Sequence, residues 1–450
     1  MNRKYHFIAI GGVGMSGLAK CLLEQGYDVS GSDISESKYV MKLKELGAKV
    51  YIGHAKGNVP KNSTVIVSSA IREDNPELIQ AKALKCIIYH RSDLLAEISR
   101  NDKTFIGFAG THGKTTTSGF ASYILSKAGF KPSYVVGGII PELETNAIFD
   151  TGNHFIAEMD ESDGTLVKYR PDIAVINNLE ADHLDFYKKG LESVLETFQK
   201  FLSNLKPNAK ILINNDNPGN LKLKGYDFIT FGLDSAEYMA QNVEFHNGYT
   251  TFDITHNDEP LLDNVKIQLP GIHNVYNTLA VVVACRESGV DINKLKEPIF
   301  SFTGMGRRFQ KVLNIGDVPI YDDYAHHPTE IKATLSAMKS FTGRHIVAVF
   351  QPHRYTRLKS LWDDFKLAIA SADRVIITDV YAASEDPIEG INSEKFASEI
   401  DKAEYVSGSI SDVAKKILPT IGNNDVVIGL GAGTITNLAK SLKSAKEEIS

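Results

Sequence analysis

Cysteine is scarce in this sequence, and long apolar runs are missing from it. Only three cysteines occur among 450 residues (Cys21, Cys86 and Cys285), far apart and without a CxxC pair. This excludes a disulfide scaffold and a cysteine-based zinc site, and it fits the reducing cytosol. The most apolar stretch, Leu279–Cys285, has seven residues, whereas about 18 are needed to span a membrane. We therefore expect a cytoplasmic protein with no membrane partner.

Excess positive charge is also lacking. The 49 Lys and Arg face 55 Asp and Glu, which gives a formal net charge of −6. A mildly acidic chain gives no support to nucleic-acid binding, so an anionic partner would have to be held by a local site. The N-terminal apolar run is broken by glycines after a few residues, so it does not predict a signal peptide.

What the sequence does contain is a repeated alternation of strand-like and helix-like patterns. Hydrophobic residues make up 43% of the chain, as in ordinary globular proteins, and the length corresponds to about three domains at roughly 150 residues each. The alternation predicts an α/β fold with parallel sheets, divided into residues 1–100, 101–300 and 301–450. Irregular alternation over Phe228–Ile267 predicts a small antiparallel portion.

A glycine-rich turn lies between the first predicted strand, Tyr5–Ile10, and the first predicted helix. It is a GxGxxG match, and Asp33 ends the next strand about 20 residues further on. Glycines let the backbone approach a diphosphate, and a carboxylate such as Asp33 can accept a ribose hydroxyl. The same turn could also be a tight connection without a ligand, and alone it does not distinguish NAD from another diphosphate nucleotide. The residues of the turn are Gly12, Val13, Gly14, Met15, Ser16 and Gly17.

A second glycine-rich turn predicts a phosphate loop. Here backbone N–H groups would cradle phosphates, Lys114 would reach the terminal ones, and the Thr115 hydroxyl could hold Mg²⁺. The spacing departs from the usual GxxxxGK[ST], because Phe108 stands five positions before Gly113. The loop reads Gly110, Thr111, His112, Gly113, Lys114, Thr115, Thr116 and Thr117.

Two further residues suit a magnesium nucleotide. Glu158 ends the predicted strand Phe155–Met159, and a carboxylate at that position beside a phosphate loop is where a metal is commonly held. The neighbouring Asp160, Glu161 and Asp163 could be a merely solvated acidic turn. His183 follows another apolar strand; from spacing alone it is more often a structural histidine than a metal ligand.

The last third of the chain concentrates positive charge. Between Gly304 and Leu358 there are eight Lys and Arg against four acids, a local net charge of +4. Three clusters there, around Arg307-Arg308, Asp322-Asp323 and His353-Arg354, lie at or just after predicted strand ends, where open α/β sheets bind ligands. A solvated basic face is the alternative, and three such clusters make it the weaker one.

Taken together, the ordered motifs resemble the Mur ligase family, most closely its alanine-adding members. The motifs, from about residue 5 to beyond 430, are GGVGMSG, GTHGKTTT, DESD with NNLEADHLDFY, PGIHNVYN, GRRFQ, DDYAHHPTEI and FQPHRYTR. The resemblance implies an N-terminal Rossmann-like domain for the UDP-sugar, a central P-loop ATPase-type domain with a mixed sheet, and a C-terminal Rossmann-like domain for the amino acid. It also implies ATP and Mg²⁺ as cofactors, and UDP-N-acetylmuramate and L-alanine as partners.

The resemblance further implies roles for individual residues. For ATP these are Gly110, Thr111, His112, Gly113, Lys114, Thr115, Thr116, His273, Asn274 and Asn277. For the UDP-sugar they are Gly12, Val13, Gly14, Met15, Ser16, Asp33 and Ser69. For the amino acid they are His353, Arg354 and Arg357, and for metal Thr115, Glu158 and His183. Catalytic roles fall to Lys114, His183, Arg308, Asp323 and His353.

The implied reaction is ATP-dependent amide bond formation through an acyl phosphate, in peptidoglycan precursor synthesis and hence in cell-wall biogenesis, cell shape and division. The sequence departs from many relatives at Ala9, where glycine is usual, and at Met159, and it offers no clear counterpart of the modified lysine of some sister ligases. The alternatives are a ligase that recycles murein tripeptide, an NAD-dependent oxidoreductase and a non-catalytic nucleotide switch. The oxidoreductase would leave the phosphate loop unexplained.

Overall fold

The protein is described by a computed structural model over residues 3–100, 102–183, 186–246, 248–383 and 385–449. The chain forms two compact units, which we describe separately. The first comprises Met1–Asn242, Phe252–Val265 and Val275–Phe302, and the second comprises Val243–Thr251, Lys266–Asn274 and Thr303–Ser450. Over the described ranges, no helix is both long and apolar enough to cross a membrane.

The first unit begins with a five-stranded parallel sheet. Its strands are β1 (Lys4–Ile8), β2 (Asp28–Asp33), β3 (Lys49–Ile52), β4 (Ser63–Val67) and β5 (Ile87–His90). The helices between and after them are α1 (Val13–Glu24), α2 (Lys38–Glu45), α3 (Pro76–Ala83) and α4 (Arg91–Ile98). The strand order is β3-β2-β1-β4-β5. The central strand β1 is buried at four successive residues, as expected when both faces of a parallel sheet are covered.

A ten-stranded sheet follows, most of whose residues belong to the first unit. Its strands are β6 (Thr104–Ala109), β7 (Ser133–Ile140), β8 (Thr145–Ile148), β9 (His154–Glu158), β10 (Ile173–Ile176), β11 (Lys210–Asn214), β12 (Phe228–Gly232), β13 (Tyr238–His246), β14 (Tyr249–His256) and β15 (Glu259–Ile267). The helices are α5 (Lys114–Lys127), α6 (Leu191–Ser203), α7 (Ile272–Glu287) and α8 (Lys296–Ser301). The strand order is β15-β14-β13-β12-β11-β10-β6-β9-β7-β8.

Most of the described pairings in this sheet are parallel. β6 lies between β9 and β10 and runs parallel to both, so the carboxyl ends of the three strands meet at one edge. β8 pairs antiparallel with β7. The prediction of an antiparallel portion over Phe228–Ile267 is wrong at its start, because β12 is parallel to β11 and, over two residues, to β13.

Helix α1 of the first sheet packs directly on strands of the ten-stranded sheet. A Cβ on Gly17 would lie 3.0 Å from Nδ2 of Asn146 and 3.2 Å from Cβ of Ala147. Nδ2 of Asn146 also donates to the carbonyl of Val13 at 2.8 Å. The third glycine of the turn therefore allows the close contact between the two parts of the first unit.

The second unit contains a six-stranded sheet. Its strands are β16 (Gln310–Ile315), β17 (Val318–Asp323), β18 (His345–Phe350), β19 (Arg374–Ile377), β20 (Ala403–Tyr405) and β21 (Asp425–Leu430). Its helices are α9 (Pro328–Thr342), α10 (Tyr355–Ser360), α11 (Trp362–Ile369), α12 (Ser393–Ser398), α13 (Ile410–Ile417) and α14 (Leu438–Ile449). The strand order is β16-β17-β21-β18-β19-β20. Only the edge strand β16 is antiparallel to its neighbour among the described pairings of this sheet.

The core of this sheet divides into two layers, one on each face. Along β18, Ile346, Ala348 and Phe350 belong to one buried cluster, while Val347 and Val349 belong to the other. This alternation follows the two-residue period of a strand. The predicted α/β class with three sheet-based parts is confirmed.

Candidate active site

The glycine-rich turn joins β1 to the N-terminus of α1. A Cβ on Gly11 would lie 2.8 Å from Oδ2 of Asp33, so only glycine fits there. The same oxygen accepts the N–H of Gly11 at 2.8 Å, and Oδ1 accepts that of Ser35 at 3.2 Å. Asp33 thus fixes the shape of the turn, and its contact with a ribose stays a prediction. Gly12 is the N-cap of α1 and has an extended backbone conformation. The N–H groups of the first turn have no partner within the helix and point outward at its N-terminus.

Ser69, grouped with the sugar-nucleotide residues from the sequence, lies against the acidic turn after β9. Its hydroxyl donates to Asp163 at 2.6 Å and lies 3.1 Å from Nε2 of His90. Asp160 in the same turn pairs with Arg91. These carboxylates therefore link the two sheets of the first unit and are not a merely solvated turn, which corrects one of the alternatives left open above.

The predicted phosphate loop connects β6 to α5. Gly110 has φ +128°, and a Cβ there would lie 2.9 Å from the carbonyl oxygen of Asn178. Gly113 has φ +83°, and a Cβ there would lie 2.8 Å from Oδ1 of Asn277. Both glycines are therefore required by backbone conformation and by space. Thr115 and Thr116 lie in the first turn of α5, whose N–H groups face the loop.

Lys114 is held at the centre of this loop. Its Nζ donates to the carbonyls of Gly110 at 2.7 Å and Thr111 at 3.1 Å, and to Oε1 of Glu161 at 2.9 Å. Burial would lower the pKa of the ammonium, but the carboxylates of Glu161, Asp160 and Glu158 outweigh it and raise that pKa to about 12. Lys114 therefore stays positively charged at any physiological pH.

The two predicted ligands of the first metal lie side by side. The Thr115 hydroxyl donates to Oε2 of Glu158 at 2.9 Å, and the N–H of Gly137 donates to the same oxygen at 3.0 Å. A Cβ on Gly137 would come within 2.2 Å of that oxygen, so the carboxylate needs glycine beside it. A hydroxyl and a carboxylate are hard oxygen donors of the kind that Mg²⁺ prefers, so the pair fits that ion.

His183 has a left-handed backbone, with φ +51°. Its Nε2 lies 3.7 Å from Oε1 of Glu161 and 3.7 Å from Oδ2 of Asp182. Glu161, which also contacts Lys114, was not among the predicted site residues. Among the residues that the structure describes, no group of three or more His, Cys, Asp or Glu is arranged to hold a metal.

Two asparagines after β10 support the loop and were not predicted. Oδ1 of Asn178 accepts the N–H of His112 at 2.8 Å, and its Nδ2 donates to the carbonyl of His112 at 3.1 Å. Nδ2 of Asn177 donates to the hydroxyl of Thr117 at 3.1 Å. Both asparagines belong to the motif NNLEADH, which also contains His183.

The residues predicted to contact adenine lie at the start of α7. Asn274 is buried, and its Nδ2 donates to the carbonyl of Pro270 at 2.7 Å and lies 3.1 Å from Nε2 of His273. Asn277 lies against the phosphate loop at Gly113, as given above. The structure thus brings Asn277 to the predicted nucleotide site, while a contact of His273 or Asn274 with a base stays a prediction.

In the second unit, Asp323 ends β17 and is buried. Its Oδ2 accepts the N–H of Phe309 and its Oδ1 that of Ala325, each at 2.7 Å. Burial raises the pKa of this carboxyl to about 6. The guanidinium of Arg308 lies over the ring of Tyr324. Asp323 therefore fixes the backbone at Phe309, next to Arg308. A direct contact of Asp323 or Arg308 with the nucleotide stays a prediction.

The histidine and arginines after β18 form a cluster. The ring of His353 stacks on Tyr381 at 5.4 Å, and its Nδ1 lies 3.3 Å from Nη1 of Arg357. Because a guanidinium only donates, Nδ1 accepts, and the ring proton is on Nε2. Burial lowers the pKa of His353 to about 3. A neutral ring that already uses its accepting nitrogen is a poor general base. Arg354, at φ +69°, lies 4.0 Å from Glu385.

Comparison with known proteins agrees with this geometry. The Mur ligase family catalytic domain matches residues 4–103, the Mur ligase middle domain 108–285 and the Mur ligase glutamate ligase domain 307–433. The chain belongs to the Mur ligase family. It is an ATP-dependent ligase, as the resemblance of its ordered motifs implied, and the nicotinamide oxidoreductase alternative is wrong.

Relatives within the family are similar over almost the whole chain. The UDP-N-acetylmuramate–L-alanine ligase of Geotalea uraniireducens (strain Rf4) is 40% identical over 449 residues, 98% of this chain and 97% of the relative. The enzyme of that name from Sulfurihydrogenibium sp. (strain YO3AOP1) is 41% identical over 449 residues, again 98% and 97%.

Solved Mur ligase structures are similar in fold. The UDP-N-acetylmuramate-alanine ligase of Thermotoga maritima has a TM-score of 0.86 and 28% identity, over 99% of this chain and all of that one. A murein peptide ligase from Psychrobacter arcticus 273-4 has a TM-score of 0.73 and 21% identity, over 99% and 98%, and supports the fold alone.

Proposed function

We propose that this Mur ligase joins L-alanine to the carboxylate of UDP-N-acetylmuramate at the expense of ATP, in peptidoglycan precursor synthesis. The observation that carries the substrate assignment is the 40% identity to alanine-adding ligases over 98% of the chain. The proposed location is the cytoplasm, which the three free thiols suit.

Each part of the chain has a proposed task. Residues 1–100 would bind the sugar nucleotide through Gly12–Ser16 and the turn that Asp33 supports. Residues 101–300 would bind ATP. Residues 301–450 would bind alanine through His353, Arg354 and Arg357, since planar guanidinium groups pair well with a carboxylate.

The chemistry follows from the leaving group. A carboxylate does not react with an amine at neutral pH, because oxide would have to leave. Transfer of the γ-phosphoryl group to the muramoyl carboxylate gives an acyl phosphate and ADP, and attack by the alanine amine then expels phosphate. Lys114 would stabilise the charge that spreads over the transferred phosphoryl group. His183 and Arg308 are proposed to act on the same group.

Thr115 and Glu158 would hold Mg²⁺, which neutralises phosphate charge when bound. The hydrogen bonds that the Thr115 hydroxyl and the N–H of Gly137 donate to Glu158 orient the pair. His183, beside Glu161, is the proposed ligand of a second ion. The carboxylate ends β9, the hydroxyl lies in the first turn of α5 after β6, and the imidazole lies in the loop after β10.

One assay tests the assignment. Phosphate release from ATP is measured with UDP-N-acetylmuramate and a panel of amino acids and peptides. We expect release only when both the sugar nucleotide and L-alanine are present. Release that needs L-alanyl-γ-D-glutamyl peptides in place of alanine would contradict the proposal in favour of a recycling ligase, and ATP hydrolysis without either acceptor would point to a nucleotide switch.

A further inference from the structure

Arg91 is a cation to which neither the motifs nor the family resemblance assigned a role. It follows β5 directly and is the first residue of α4, so it lies at the carboxyl edge of the five-stranded sheet. β5 pairs in parallel with β4, and β4 with β1, whose end leads into the glycine-rich turn. This is the edge at which open α/β sheets bind ligands.

The guanidinium of Arg91 lies beside the glycine-rich turn. A Cβ on Gly14 would be 3.4 Å from Nη1 of Arg91. Gly14 is in the first turn of α1, where N–H groups lack intrahelical acceptors and carry partial positive charge. An arginine fork and a helix N-terminus that face the same space repel each other unless an anion lies between them.

Asp160 holds the other side of this guanidinium. Its Oδ2 accepts from Nη2 of Arg91, and its Oδ1 accepts the N–H of Ser162 at 3.1 Å. Asp160 therefore fixes Arg91 through one oxygen, while its other oxygen is fixed by the backbone.

We propose that Arg91 binds the diphosphate of the sugar nucleotide, with Asp160 as the positioning residue that aims its guanidinium past Gly14. About a third of the Arg91 side chain is exposed, and a guanidinium carries five N–H donors, of which Nη2 serves Asp160. A diphosphate on the N–H groups of α1 would receive a charge-assisted bond from Nη1. The inference rests on the proposed function, since it needs a sugar nucleotide at this turn.

The test compares UDP with uridine, measured by calorimetry on the full chain without ATP. Arg91→Ala is expected to weaken UDP binding by about 10- to 100-fold, the range for a lost charge-assisted hydrogen bond, and to leave uridine binding unchanged. Arg91→Lys should recover part of the loss, because it keeps the charge but not the fork. Asp160→Asn should weaken UDP binding less than Arg91→Ala does.

The matched control is Arg3→Ala. Arg3 lies at the other end of the same sheet and pairs with Glu97, also on α4, so its loss should change neither ligand's affinity. Equal losses for UDP and uridine in Arg91→Ala would show a merely structural role and overturn the inference, as would unchanged UDP affinity. Failure of the unaltered protein to bind UDP would overturn the inference and the proposed function together, whereas normal UDP binding with an indifferent Arg91 would overturn the inference alone.

Discussion

At the scale of single residues, roles that follow from the type of residue could be predicted. The contacts between residues that are distant in the sequence could not. Lys114, Thr115 and Glu158 were identifiable because a lysine, a hydroxyl and a strand-end carboxylate each have a known use beside phosphate. Glu161 and Asp160 were not, because their importance comes from burial against Lys114 and Arg91, which only the folded chain brings about.

Removal of the Lys114 ammonium should abolish turnover. We expect Lys114→Ala to reduce alanine-dependent phosphate release by about 10³-fold or more, because a preorganised charge at the transferred phosphoryl group is lost. The control is Lys127→Ala at the end of the same helix, where the ammonium lies over the ring of Tyr123. Near-normal turnover of a folded Lys114→Ala protein would contradict the assignment of the loop.

Ala9 has a left-handed backbone, with φ +63°. In that conformation an alanine lowers the stability of the fold by about 1–2 kcal/mol. A glycine avoids this strain, but the greater freedom of its unfolded chain lowers the stability by roughly 0.4–1 kcal/mol. We therefore expect Ala9→Gly to raise the free energy of unfolding by up to about 1 kcal/mol, measured by urea denaturation. Ala83→Gly on α3 should have the opposite sign, since glycine weakens helices. A destabilised Ala9→Gly protein would show that the strain is relieved elsewhere.

At the scale of elements, long periodic segments were predictable and short ones were not. The phosphate loop between β6 and α5 was predictable, because an apolar strand, glycines and a helical pattern follow each other there. β3 was not predicted, because its apolar run, Val50 to Ile52, is only three residues long and lies in an edge strand whose residues are all half-buried or exposed. The pairing of β12 with β13 depends on tertiary contacts, and local alternation does not reveal it.

Helix α1 offers a test of packing at this scale. Gly17→Val would push a branched side chain against Asn146 and Ala147, at positions already 3.0–3.2 Å from a Cβ. We expect a loss of about 1–3 kcal/mol in unfolding free energy, typical of overpacking, together with weaker UDP binding because the turn moves with the helix. Gly57→Val is the control, since nothing lies within 4 Å of a Cβ there. Equal stability of the two variants would mean that α1 does not depend on this contact.

At the scale of the whole molecule, the net charge did not reveal the predicted anion-binding sites. A net charge of −6 gave no hint of anion binding, yet the chain has a local excess of +4 between Gly304 and Leu358 and two turns that present backbone N–H groups. The motifs allowed the family to be identified because their order along the chain is specific. A count of charges does not show which charges pair across distant segments of the chain, as Arg91 and Asp160 do.

The second unit should lose stability in mild acid. Burial lowers the pKa of His326 to about 4, with Glu330 opposing and Arg357 and Arg308 assisting that shift. Since an unfolded histidine titrates near 6.5, the unfolded chain binds a proton between about pH 6.5 and 4 that the folded chain does not. The contribution of His326 is therefore complete above pH 6.5 and is lost as the pH drops towards 4, by about 3 kcal/mol for a shift of this size. Asp323, whose pKa burial raises to about 6, opposes part of this loss because its folded carboxyl takes up a proton over the same range.

The single tryptophan makes this loss measurable in one unit. Trp362 lies on α11 and packs edge-on against Phe396 at 5.1 Å, so its fluorescence reports unfolding of the second unit. Urea midpoints followed by this signal should fall between pH 7 and 4.5, and His326→Gln should flatten the fall because the titrating ring is gone. The exposed His345 on β18 provides the matched variant, His345→Gln, which should keep the full pH dependence. If His326→Gln and the unaltered protein lose the same stability, the acid sensitivity comes from other groups, of which His353, whose pKa is lowered by the same burial, is the first to test.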